Sequence, residues 1–135
     1  MADSDGVVTE GVVLTYFLVV SDVDRARTWW TEVFGAKVLR ERDPVLLEVW
    51  GTTLILNGAG GPTPDKPAVE LELPDPGRTS AFLDIRVPDI AAFHRETAAR
   101  GAEWLTEPID RGPEIRGYIR DPDGHLFEVG QSVQG

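Results

Sequence analysis

The feature that most constrains this chain is that it repeats itself. Setting Val20-Ser-Asp22 against Val87-Pro-Asp89 brings Gly35-Ala36 and Gly101-Ala102 to within one residue of register. Around both anchors the same order recurs: an extended run, an amphipathic helical run stopped by glycine, then short extended runs. This is the signature of a degenerate βαβββ unit used twice. A sheet with one helix has one face uncovered, so the bare faces are expected to close on each other. The predicted class is α+β, with two tandem βαβββ modules forming a curved open barrel around a cavity. One domain is expected over 1–135, with module 1 at 10–60 and module 2 at 78–131.

The elements follow from residue type. Residues 12–20, VVLTYFLVV, are β-branched and aromatic and read as a strand. Ser21 with Asp24 resembles a capping box, and Val23, Ala26, Trp30, Val33 and Phe34 recur at helical spacing until Gly35. Extended segments are expected at Ala36–Glu41, Val45–Trp50 and Thr52–Asn57, separated by Asp43-Pro44 and Gly51. Residues 58–67, GAGGPTPDKP, read as a linker, and 68–73 as an extended piece. The second unit reads as a strand at Ser80–Val87 and a helix at Asp89–Arg100. Strands follow at Glu103–Thr106, Ile115–Arg120 and His125–Gly130, with Asp121-Pro-Asp-Gly124 as a tight turn.

Alternation assigns faces. Tyr16, Leu18 and Val20 are expected under the first helix, leaving Thr15, Phe17 and Val19 toward the cavity. Leu83, Ile85 and Val87 belong under the second helix, with Phe82, Asp84 and Arg86 pointing the other way. Asp84 and Arg86 are close enough to pair with each other or to meet a ligand. Trp50 and Trp104 are candidate stacking surfaces for planar or cationic molecules. Tyr118, Arg116 and Arg120 are a possible proton donor and anion clamp. His94 is expected at the surface and His125 in a turn-stabilising role. No nucleophile, base and orienter can be assembled from the spacing.

Composition removes whole classes of function. At 135 residues the chain can bury roughly two-thirds of its unfolded surface without staples. It has no cysteine, so disulfides, thiolate metal sites and cysteine nucleophiles are excluded, which suits a cytoplasmic location. The acidic opening MADSDG has no apolar leader, and residues 12–20 are too few to span a bilayer, so no membrane association is expected. A net charge of -10 repels phosphate backbones and attracts cations, which argues against nucleic acid as a partner.

Two ordered motifs carry a resemblance over residues 12–131. They are Val20-Ser-Asp-Val-Asp followed by Trp-Trp-Thr-Glu-Val-Phe-Gly35, and Tyr-Ile-Arg-Asp-Pro-Asp-Gly-His-Leu-Phe-Glu128. In these the chain resembles the vicinal-oxygen-chelate superfamily, the glyoxalase, bleomycin-resistance and dioxygenase group. The resemblance implies that Trp29 and Trp30 pack on the sheet. It also implies four metal-ligand positions, one early on the first strand and one on the last strand of each half. Here those positions hold Thr15, Ile55 or Leu56, Phe82 and Glu128. A lone carboxylate leaves a weak, water-dominated site, so no cofactor is expected, a divalent metal being the alternative.

The resemblance further implies a homodimer with ligand crevices between subunits. The function expected is a small-molecule binding protein that sequesters an aromatic or cationic antibiotic or metabolite without metal. Its candidate ligand-binding residues are Thr15, Phe17, Trp50, Ile55, Phe82, Asp84, Arg86, Trp104, Tyr118 and Glu128. The alternative is a lyase, isomerase or dioxygenase of the same group with a rebuilt metal site or with metal-independent acid and base chemistry. Glu128, Asp84 or Tyr118 would then act as acid or base.

Overall fold

The computed structural model describes Gly6 and residues 9–133, so most of the acidic opening segment lies outside the described residues. Module 1 comprises β1 (Thr15–Val19), α1 (Val23–Phe34), β2 (Lys37–Arg40), β3 (Val45–Val49) and β4 (Thr52–Asn57). Module 2 comprises β5 (Leu83–Arg86), α2 (Ile90–Ala99), β6 (Glu103–Trp104), β7 (Ile109–Asp110), β8 (Glu114–Arg120) and β9 (Leu126–Ser132). The sheets run β1-β4-β3-β2 and β5-β9-β8-β6, with β7 also pairing β8. In each, the first strand lies parallel to the last and the remaining pairs are antiparallel. The twice-used βαβββ plan is therefore present as expected.

Several boundaries differ for local reasons. The cap of α1 is Asp22 rather than Ser21, because the Asp22 carboxylate accepts from the N–H groups of Asp24 and Arg25. Gly35 ends that helix in the left-handed region at φ 71°. Val12, Val13 and Leu14 precede β1 and are exposed, since no neighbouring strand pairs with them. Residues 58–82 have no named strand, and the extended piece 68–73 contributes only the isolated bridge of Leu71 to Gly60. The strand expected at Glu103–Thr106 is confined to β6, and a further short strand, β7, follows it, both pairing with β8.

Alternation along the strands sorts side chains as expected. Leu18, Val20, Leu54 and Leu56 are buried on the α1 side, whereas Phe17 is 41% exposed. What periodicity does not reveal is how the two sheets meet. The helix-bearing faces pack together: Trp30 of α1 lies edge-on to Phe127 of β9 at 5.3 Å, and Phe34 stacks on Phe93 of α2 at 6.1 Å. Trp29 packs on Phe34 and Phe127 from the same side, so both tryptophans serve the core. The bare faces consequently look away from each other within the chain. The sheets are open and curved, and the two cavity walls face outward.

A second set of contacts ties the modules together. Asp121, buried at 4% exposure, accepts from the N–H groups of Asp123 and His125 and shapes the turn closed by Gly124. Burial raises the Asp121 carboxyl above its ordinary range. The turn then reaches module 1: Asp123 accepts from Ser21 N–H at 3.2 Å, and His125 Nε2–H donates to Val19 O at 2.7 Å. His125 thus stabilises its own turn and also fixes it to the end of β1.

Candidate functional site

The bare face of the second sheet concentrates the ionisable side chains. Residues 84 and 86 on β5, 114 to 120 at even numbers on β8, and 126 to 132 at even numbers on β9 share it. Arg86 donates to Glu114 at 2.8 Å and lies 3.5 Å from Asp84. Arg116 donates to the other oxygen of Glu114 at 3.0 Å and approaches Glu128 at 3.6 Å. Tyr118 Oη–H donates to Glu128 at 3.0 Å, and Phe82 sits edge-on to the Tyr118 ring at 6.0 Å. Gly130 lies beneath this network, and a Cβ there would push the Arg86 guanidinium from its present place.

Proximity to Arg86 and then Arg116 holds the Glu114 carboxyl below its ordinary range. Burial, followed by the hydrogen bond to Glu128 and its charge, raises the Tyr118 phenol above 10.0. Tyr118 is therefore a proton-bearing donor throughout the neutral range. The stabilisation from this bond is complete below the ordinary phenol range and is lost as pH rises through the raised value. In a Tyr16→Phe background, ultraviolet titration should give a phenol midpoint above about 10. Glu128→Gln should lower that midpoint while leaving it above the ordinary value, because burial is the larger cause.

Strand register settles the position opposite Glu128 in the other module. Glu128 pairs with Asp84, two residues after Phe82, and Phe17, two residues after Thr15, pairs with Ile55. Ile55 therefore occupies the equivalent place, and its half-buried side chain shares the bare face with Thr15 and Phe17. Leu56 is fully buried on the opposite face. Of the four positions that carry metal ligands in the resemblance, three hold a hydroxyl, an alkyl and a phenyl group. The fourth, Glu128, already accepts from Tyr118. Among the described residues no three His, Cys, Asp or Glu side chains converge on one point. This donor set does not fit a divalent ion.

Two expected members stand elsewhere. Trp104 pairs with Ile119, so it lies on the helix-bearing face. There its indole N–H donates to Thr97 at 3.0 Å and its ring covers Gly117. His94, expected at the surface, is half-buried against the same ring at 4.7 Å. Trp50 occupies the β3–β4 turn and touches Phe34 and Phe93, also on the helix side. Glu114, by contrast, joins the network although sequence reading started that strand at Ile115. Its even-numbered spacing with Arg116 and Tyr118 is the signal that marks it.

Phe82 and Tyr118 also line a cavity of about 340 Å³ beside the network, covered by residues 74–79. Arg120 anchors this cover by donating to Pro76 O at 2.8 Å. Tyr16, Leu18, Leu83 and Phe127 also line this recess, so it opens at the seam between the modules, next to the end of the bare face at Phe82.

Two βαβββ modules joined by their helix-bearing faces, with the bare sheet faces turned outward, define the scaffold of this chain. The Glyoxalase/Bleomycin resistance protein/Dioxygenase superfamily model matches residues 12–129, and the chain belongs to that superfamily. It is 30% identical over 118 residues to a lactoylglutathione lyase of Arabidopsis thaliana, covering 82% of this chain and 40% of that protein. The chain thus spans less than half the length of that plant relative. A probable lactoylglutathione lyase of Vibrio parahaemolyticus is 28% identical, covering 93% of this chain and 94% of its own. TioX from Micromonospora sp. ML1 superposes with a TM-score of 0.69 at 23% identity, covering 91% of this chain and all of that one. The fosfomycin resistance protein FosX from Listeria monocytogenes gives 0.66 at 17% identity, covering 91% and 94%. These two structures establish the shared fold.

Proposed function

We propose that this protein captures a small molecule, an aromatic or cationic antibiotic or metabolite, on its bare sheet faces without using a metal. The observation that carries this reading is the state of Glu128. In place of converging donors it has a phenol hydrogen bond and a nearby guanidinium, which turn a potential metal ligand into part of a polar binding surface. Three carboxylates, Asp84, Glu114 and Glu128, balance three guanidinium groups, Arg86, Arg116 and Arg120, on these strands, and the chain's net charge of -10 is what favours a cationic partner. Phe17, Ile55 and Phe82 supply apolar surface for a ring.

The outward direction of both faces supports assembly as a homodimer, in which module 1 of one copy covers module 2 of the other. Thr15, Phe17 and Ile55 would then face Phe82, Tyr118 and Glu128 across the subunit boundary, and a single copy would present only half of each site. Phe17 at 41% and Phe82 at 43% exposure are the apolar surface such a partner would cover.

Native mass spectrometry of the freshly purified protein tests this reading. A small molecule retained through chelator dialysis and released chemically unchanged on denaturation is the expected result. Tyr118→Phe and Glu128→Gln should each reduce its retention. Steady conversion of the molecule to a product would overturn the capture reading. That outcome would favour acid and base chemistry by the Tyr118–Glu128 pair, the enzyme reading that the lactoylglutathione lyase relatives support.

A further inference from the structure

A separate cavity of about 560 Å³ opens on the helix-bearing side, between the modules and against β5. Trp30 and Leu54 form its floor, and Trp50 rises at its rim. Along α2 the lining residues are Asp89, Ala92, Phe93 and Glu96, whose spacing makes them one continuous stripe of that helix. The two ends of the pocket therefore differ. One is aromatic, where Trp50 and Phe93 stand with ring centres 6.0 Å apart, and the other carries carboxylates.

Trp50 is not placed as a core residue would be. It is 56% exposed, and its φ of 50° puts a bulky residue in the left-handed region that glycine favours. The two-residue turn Trp50-Gly51 between β3 and β4 accounts for this conformation, since both its residues have positive φ, and it leaves the indole at the open rim. Beneath it, the buried indole Nε1–H of Trp30 has no hydrogen-bond acceptor among the described residues. Trp30 thus keeps a buried donor without an acceptor among the described residues, while Trp50 meets Phe34 and Phe93 and still leaves over half of its surface open.

The charges narrow what could fill the space. Asp84 is engaged by Arg86, and Asp89 caps α2 through the Ala92 N–H. Glu96 has an exposed carboxylate with no ion-pair or hydrogen-bond partner among the described residues, one helical turn beyond Phe93. Two aromatic faces also attract a cation, and the net charge of -10 raises its local concentration. A volume of this size suits two or three fused rings.

We propose that this cavity is a second ligand site, distinct from the bare-face site, for a flat aromatic ring system bearing a cationic amine. The ring lies across the cavity-facing surfaces of Trp50 and Phe93, which touch each other, and the amine is held by Glu96. This inference does not depend on the capture reading, since its ring and amine contacts are Trp50, Phe93 and Glu96, although Asp84 and Arg86 of the bare-face network also border the cavity.

The test is a fluorescence titration of the full chain with 9-aminoacridine, a planar cation, beside neutral acridine. Saturable binding of one cation per chain with a Kd of roughly micromolar order is expected. Trp50→Ala and Glu96→Gln should each weaken it about tenfold, and acridine should bind about tenfold less tightly. Both variants alter exposed side chains, and thermal melting should show the fold retained. Tyr118→Phe and Glu128→Gln should leave the titration within about twofold, because they lie on the other face. Absence of saturation, equal binding of acridine, or indifference to Trp50→Ala or Glu96→Gln would overturn the proposal. Loss of binding in the Tyr118 or Glu128 variants alone would overturn it as well, by moving the ligand to the bare face.

Discussion

Phe127→Ala should destabilise the protein by about 3–5 kcal/mol, the range for truncating a large buried aromatic side chain. For a chain of this length that corresponds to a fall in Tm of roughly 10–20 °C. Phe127 is 1% exposed and touches Trp29, Trp30 and Phe34, so it belongs at once to the sheet of module 2 and to the helix of module 1. Its loss leaves a void at the junction that rigid neighbours on both sides cannot collapse to fill. Phe17→Ala, on the outward face, should cost under about 1 kcal/mol in the single chain. Differential scanning calorimetry of the two variants measures the contrast. Equal losses would mean that the sheets meet by their bare faces and not by their helices.

The second large effect is a gain. Replacing Thr15 by His, Ile55 by Glu and Phe82 by His would restore three donors beside Glu128. The triple variant should bind Mn(II) or Zn(II) roughly a thousandfold or more tightly than the wild type, by isothermal titration calorimetry. Thr15 and Ile55 lie on one outward face and Phe82 and Glu128 on the other, so the gain also requires the two faces to meet in an assembly. Adding Glu128→Gln to the triple variant should remove most of it. No gain would show that these four positions do not converge, and the explanation of the metal-poor site would fail with them.

Much of this was legible in the sequence because it rests on local rules. The repeat of Val20-Ser-Asp22 and Val87-Pro-Asp89 revealed two modules, since each anchor stands at a strand-to-helix junction where residue type is restricted. Period-two alternation placed Phe17, Asp84 and Arg86 on the bare faces because a strand permits only two directions. What remained hidden depended on register or on distant packing. Ile55 and Leu56 could be told apart only by the pairing of Phe17 with Ile55. Trp104 was assigned to the ligand surface, but its pairing with Ile119 turns it under α2. Position at the end of β3 leaves the direction of Trp50 open, and its turn carries it to the helix side, against Phe93. Strand periodicity fixes two faces for each sheet without saying which face meets the other sheet, and here Trp30, Phe34 and Phe127 decide it.

This packing explains how a charged lattice can occupy an open sheet face. With the helices between the sheets, the bare faces are free to carry Arg86, Glu114, Arg116 and Glu128 as a connected set without the cost of isolated burial. Each group is oriented by its neighbour, and Gly130 leaves room for the Arg86 guanidinium to lie across the strand. A ligand that meets this surface encounters preorganised donors and acceptors, with Tyr118 kept protonated as one of them.

The central claim is that the bare faces hold a small molecule and no metal, and elemental analysis of natively purified protein tests it most directly. After dialysis without chelator, Zn, Ni, Mn and Fe together should fall well below one equivalent per chain, about a tenth or less given a single weak carboxylate donor. The same sample should still release its small molecule on denaturation. A stoichiometric metal that survives dialysis, and whose removal abolishes ligand retention or exposes a lost activity, would contradict the account.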